Sequence, residues 1–223
     1  MKFMVNDLQL ELIRYKISPF MRKDLNQEGD YYTVTSLYFD DREDTCFWDN
    51  LNGNDRRSKY RIRIYNNDFS SIKLEKKSKV HTMTKKDSVW INREECDTFL
   101  DGKNLRIQSD FSEKKKQLIC EMRLKAMQPK SIVEYDRTAY IFKVGNVRIT
   151  FDRNIRGTPN IHHFFKEHIN TIPLLKSGIH ILEVKYDELL PQFIYDSLEI
   201  DTLQVTSFSK YCCSRQYEGG FIG

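Results

Sequence analysis

Arg57, Lys59, Arg61 and Arg63 alternate with Ser58, Tyr60, Ile62 and Ile64, so in an extended strand the four cations share one face. The run Lys73-Leu74-Glu75-Lys76-Lys77-Ser78-Lys79 does the same for Lys73, Glu75, Lys77 and Lys79. Between Arg56 and Lys86 stand eleven Lys or Arg residues against two acids. Like charges at this density repel one another across neighbouring strands. They are tolerated where water solvates them or where a polyanion neutralises them. In an open sheet such a face meets solvent; in a closed sheet it lines the inside. A cavity rich in cations with a few carboxylates suits a polyphosphate chain and a divalent metal. Arg and Lys neutralise phosphate oxygens, and carboxylates hold hard cations that bridge them.

The elements that must position these residues are legible in outline. Asn6-Asp7 predicts a helix start, with Leu10, Ile13, Ile17, Phe20 and Met21 following at helical spacing. Residues 31–40 predict a strand, being rich in β-branched and aromatic side chains. Asn52-Gly53-Asn54-Asp55 and Asn66-Asn67-Asp68 predict turns that fold the two basic runs into an antiparallel hairpin. Asn92 followed by Glu95 predicts a capped short helix ending near Gly102, and residues 111–127 a charged amphipathic helix stopped by Pro129. Strands are predicted over 132–142, 146–152, 179–187 and 204–211, a loop-rich excursion over 153–178, and a short helix from Pro191 to about Glu199. The 179–187 strand puts Leu182 and Val184 on one face and Glu183 and Lys185 on the other.

Composition narrows the function classes. With 39% hydrophobic and 30% charged residues, the 223-residue chain is an ordinary globular one, read as a single domain over 1–223. A net charge of +4 makes the basic character local, which favours a focused anion site over a nucleic-acid coat. Stacking motifs for RNA are missing, so no nucleic-acid partner is expected. No apolar run reaches the roughly 18 residues of a membrane span. The five cysteines lack CxxC spacing and predict free thiols and a cytoplasmic location.

Six motifs in order then carry a resemblance. They are Ser-Leu-Tyr-Phe-Asp (36–40), Lys-Tyr-Arg-Ile-Arg-Ile-Tyr (59–65), Leu-Glu-Lys-Lys (74–77), Tyr-Asp-Arg (135–137), Ile-Leu-Glu-Val-Lys-Tyr (181–186) and Phe-Ser-Lys-Tyr (208–211). They resemble the catalytic domain of the vacuolar transporter chaperone (VTC) complex in its bacterial form, within the CYTH-like triphosphate tunnel metalloenzymes. The resemblance implies an α+β fold: a closed antiparallel β-barrel, the tunnel, with helices packed outside. It also implies synthesis of inorganic polyphosphate from ATP with Mn2+ or Mg2+. Carried over by motif, Arg61, Arg63, Lys77 and Arg148 would be catalytic. Lys2, Lys59, Lys86 (or Lys85, since the spacing drifts there), Tyr135, Arg137, Lys185 and Lys210 would bind phosphate or nucleotide, and Glu183 would hold the metal. ATP and polyphosphate are the implied partners. The family's eukaryotic complex also allows a membrane-protein partner, and through it association with the inner face of a membrane.

Two departures stand out. The family's first strand usually begins Arg-x-Glu-x-Lys-Tyr, whereas this chain begins Met1-Lys2-Phe3, so the first strand is expected to be truncated at its N-terminus, with Lys2 filling the lysine position. Ser207 stands where the eukaryotic enzyme has a lysine three residues before the last tunnel lysine. Blander roles exist for several residues. Glu75 could serve a metal or only pair with neighbouring cations, and Glu183 could be an ion-pair partner of Lys185. His162, His163 and His168 read as surface or packing residues, Tyr38, Phe39, Phe47 and Trp48 as packing, and Lys114-Lys115-Lys116 as a solvated face. Three functions therefore compete: a polyphosphate polymerase, a metal-dependent tripolyphosphate or polyphosphate hydrolase, and a non-catalytic polyphosphate or nucleotide sensor.

Overall fold

A computed structural model describes residues 1–25 and 27–216. The strands are β1 (Lys2–Asn6), β2 (Arg22–Lys23), β3 (Tyr32–Asp40), β4 (Arg56–Tyr65), β5 (Ile72–Val80), β6 (Met83–Ile91), β7 (Gln128–Phe142), β8 (Val147–Thr158), β9 (Ile172–Pro173), β10 (Ile179–Lys185) and β11 (Gln204–Val205). The helices are α1 (Asp7–Ile17), α2 (Thr45–Leu51), α3 (Arg93–Leu100), α4 (Glu113–Leu124), α5 (Gln192–Leu198) and α6 (Lys210–Gln216). The chain divides into two compact units. The first holds residues 1–33, 135–156 and 173–208; the second holds residues 34–134 and 157–172 and begins again at Ser209.

In the first unit, antiparallel pairing runs β11-β1-β10-β8-β7, with β2 on β7. The period-two pattern sorts each strand. Phe3, Val5, Ile149, Phe151, Leu182 and Val184 turn to a core closed by Leu10, Ile13 and Ile17 of α1 and by Ile194 and Leu198 of α5. The opposite face lines up Lys2, Glu183 and Thr150 across three strands, with Lys185 beside Arg148 one pair further along. Helix α1 starts where Asn6 predicts, through a reciprocal cap. Asn6 Oδ1 accepts from the Gln9 amide at 2.8 Å, and Gln9 Oε1 accepts from the Asn6 amide at 3.0 Å.

In the second unit the pairing is β7-β3-β4-β5-β6. Leu37, Phe39, Tyr60, Ile62, Ile64, Ile72 and Leu74 are fully buried, as are Cys96 of α3 and Ile119 of α4. Phe39 meets Phe99 of α3 edge-to-face at 5.7 Å. Asn92 and Glu95 form the second reciprocal cap, at 2.8 and 2.9 Å. The basic hairpin forms as predicted, and β6 adds a further strand to it.

Three expectations need correction. The fold is α+β with a large antiparallel sheet, but among the described residues the strand ladder does not close into a barrel: β6 and β11 end the pairing order. β11 has two residues, too few to support a closing ladder, and β6 keeps lysines 85 and 86 exposed on an edge strand, a common guard against further pairing. Strand β8 continues to Thr158, so the 153–178 excursion is shorter than read. The predicted 204–211 strand stops at Val205, and Lys210 instead opens α6. Ser209 caps that helix, its Oγ accepting from the Cys212 amide at 3.3 Å.

Candidate phosphate-binding site

In the second unit, register decides what the alternating cations meet. Arg61 stands opposite Glu75, and Arg63 opposite Lys73. Lys59 stands opposite Lys77, and Lys77 opposite Lys86. Three lysines thus lie in one row across β4, β5 and β6. Directly opposed like charges destabilise a sheet unless water or an anion neutralises them.

Glu75 sits among the cations of this face. Arg61 Nε donates to its Oε2 at 2.7 Å, Lys86 Nζ reaches Oε1 at 2.6 Å, and Arg63 Nη1 lies 3.7 Å from Oε2. The Glu75 side chain is 1% exposed. Burial alone would push its carboxyl pKa up, but Arg63, Arg61 and Lys86 together hold it down at about 2. One permanent anion therefore orders three cations and leaves an excess of positive charge. These contacts are the ion-pair role open to Glu75.

Two tyrosines report the resulting potential. Burial should raise the Tyr38 hydroxyl, yet Arg61, Arg63, Lys59 and Lys210 bring it below its ordinary value. Tyr65 is likewise lowered against the pull of burial, chiefly by Arg63. A phenol depressed inside a protein needs a strong positive field. Lys59 donates to Ser209 Oγ at 2.8 Å, which anchors it at the start of α6. Lys77 is exposed, and Lys86 is about half exposed.

The first unit has a different balance. Arg137 clasps Asp152 through Nε at 2.6 Å and Nη2 at 2.8 Å, above the Tyr135 ring. Arg148 Nη2 donates to Asp24 at 2.7 Å and lies 3.4 Å from the Tyr32 hydroxyl. Lys2 Nζ donates to the Phe208 carbonyl at 3.1 Å. Glu183 lies 3.7 Å from Lys185 Nζ. Burial would raise its carboxyl pKa, but Lys185, Lys2 and Arg137 keep it low and the group ionised. The predicted residues Lys2, Arg137, Arg148, Glu183 and Lys185 thus share the polar face of one unit, where Asp24 and Asp152 offset much of the positive charge.

Asp24, Asp152, Tyr38 and Tyr65 were not among the predicted site residues. Asp152 had a signal, since it shares the two-residue period of Arg148 and Thr150. Asp24 had none, because it reaches Arg148 from 124 residues away.

A divalent metal can be tested against these groups. Among the described residues no three His, Cys, Asp or Glu side chains cluster as ligands. Asp152 is spent on Arg137, which leaves Glu183 as one ionised carboxylate. That fits Mg2+ or Mn2+ bound in the manner of nucleotide sites, through one or two carboxylates with water and substrate phosphates completing the shell. His162, His163 and His168 stand outside any such cluster.

Solved structures identify the fold class. A Bacillus halodurans protein named as a candidate adenylate cyclase aligns with a TM-score of 0.56 at 13% identity, over 100% of this chain and 96% of its own. HpAC1 from Hippeastrum, a candidate adenylyl cyclase with a dominant triphosphatase activity, aligns with a TM-score of 0.53 at 15% identity, over 97% and 95%. At these identities the likeness is one of fold. The sequence itself is more specific: the chain belongs to the VTC domain family, whose model matches residues 1–217. No curated protein matches the sequence. No helix among the described residues is long and apolar enough to cross a membrane.

Proposed function

We propose that this chain is a polyphosphate polymerase that transfers the γ-phosphoryl group of ATP to a growing inorganic polyphosphate chain. The observation that carries this reading is the Glu75 cluster beside the Lys59-Lys77-Lys86 row. Phosphoryl transfer asks a protein mainly for positioning and charge neutralisation. Arg61 and Arg63 are held rigid by a buried carboxylate, so they bind phosphate oxygens without a large ordering cost. Lys59, Lys77 and Lys86 form a line of point charges suited to a linear polyanion. The attacking end of a polyphosphate chain is already anionic and needs no strong general base. In the first unit, Glu183 would be the protein ligand of Mn2+ or Mg2+, which when bound supplies charge neutralisation between phosphate oxygens. Arg148 and Arg137, held by Asp24 and Asp152, would offer their remaining donor capacity to phosphate. Lys2 and Lys185 add positive potential there, Tyr135 supports the Arg137 plane, and Lys210 adds its charge to the second unit.

Hydrolysis of tripolyphosphate or polyphosphate is the second reading. The exposure of Lys77 and Lys86 favours it, because water reaches that face. Both readings are tested by incubating purified protein with ATP and Mn2+, with and without a short polyphosphate primer. Gels follow chain growth while free phosphate is measured separately. Long chains with ADP, lost in Glu183→Ala, support the polymerase; phosphate without chains supports the hydrolase. Triphosphate binding without turnover leaves a sensor.

A further inference from the structure

The cationic face of the second unit ends in aromatic surface. Trp90 of β6 stands opposite Lys73, which stands opposite Arg63. The Lys73 ammonium lies 4.4 Å from the Trp90 ring centroid and 5.8 Å from that of Tyr65, and the Arg63 guanidinium lies 5.9 Å from the Tyr65 ring. Trp90 is 58% exposed.

We propose that Trp90, with Lys73 at its side, is a nucleobase platform, so that the donor held on this face is a nucleoside triphosphate and not an inorganic one. This inference rests on the reading of that face as a phosphate-binding site. Strands about 4.8 Å apart place Trp90 about 10 Å from Arg63 across the sheet, and a rise of about 3.4 Å per residue places it about 14 Å from Lys86 along β6. Those spans match the ribose and triphosphate that separate a base from its terminal phosphoryl group. The Lys73 cation stands between aromatic surface and the Arg61-Arg63-Glu75 cluster, where the α-phosphate of a stacked nucleotide would fall. Stacking reads a π-face and not the hydrogen-bonding edge of a base. The platform therefore accepts purine nucleotides with little choice between adenine and guanine.

The chain has two tryptophans, so Trp48→Phe leaves Trp90 as the sole indole reporter. In that background, ATP and inorganic tripolyphosphate are titrated in EDTA, following tryptophan fluorescence and heat. ATP is expected to quench Trp90, whereas tripolyphosphate binds without quenching. Trp90→Ala should weaken ATP about tenfold and leave tripolyphosphate unchanged, while Trp90→Phe should restore most of the ATP affinity. Equal affinity for both ligands, unchanged in Trp90→Ala, would overturn the platform and leave the phosphate site standing. Parallel weakening of both ligands in Trp90→Ala also overturns it, because the loss is then structural. If neither ligand binds the parent protein, the phosphate-binding reading and the platform fall together.

Discussion

Arg137 and Asp152 form a two-pronged ion pair, with bonds of 2.6 and 2.8 Å, in which the carboxylate is 1% exposed and the arginine 14%. The pair lies on the same polar face as Glu183 and makes Arg137 a cation with a fixed plane. Truncating one partner of such a pair leaves the other charge buried and uncompensated. Asp152→Ala should therefore destabilise the protein by about 3–5 kcal/mol, measured by urea unfolding. Asp152→Asn keeps the shape and should lose less; equal stability of Asp152→Ala and the parent would refute a structural role for the pair.

Glu75 carries a pH prediction. Its folded pKa, about 2, lies below the ordinary 4.5, so its ionisation stabilises the fold above pH 4.5. That contribution declines as pH falls through the interval from 4.5 to about 2. In Glu75→Gln the dependence of stability on pH across this interval should be shallower than in the parent. Chemical denaturation at several acidic pH values reads the slope directly, and an unaltered slope would show that Glu75 is not held ionised by Arg61, Arg63 and Lys86.

Glu183 separates metal chemistry from anion binding. Glu183→Ala should cut Mn2+-dependent turnover of ATP by about two orders of magnitude or more. Tripolyphosphate binding in EDTA, measured calorimetrically, should change little, because with the cation chelated Glu183 has no metal to hold. Full activity in Glu183→Ala would remove it as the metal ligand.

The thiols make a simpler test of packing. Cys120 is exposed, whereas Cys46, Cys96 and Cys212 are buried. Burial, then the neighbouring Cys212, pushes the Cys213 thiol up to about 11. A thiol reagent at pH 8 should label native protein quickly at Cys120 and slowly elsewhere, since thiolate fraction and access set the rate. Cys120→Ser should abolish the fast phase. Rapid labelling of several sites would show a looser fold.

The amino-acid sequence by itself determined which side chains share a strand face, because that follows from a two-residue period and needs no partner. It also set the starts of α1 and α3, where Asn6 and Asn92 act on amides three residues away. The cations of the basic hairpin and the apolar face of β10 were legible from the same period, and the six ordered motifs through their resemblance to a family. Tertiary structure alone decided which charges oppose one another. Register placed Glu75 against Arg61 and aligned Lys59, Lys77 and Lys86, and it set Trp90 beside Lys73. It assigned Asp152 to Arg137 and Asp24 to Arg148, left the strand ladder open, and turned Lys210 into the first residue of a helix. Pairing between strands is a competition among distant segments, and a slip of one residue exchanges the faces of a whole strand. No local pattern in a single chain resolves that competition; packing of the apolar faces does.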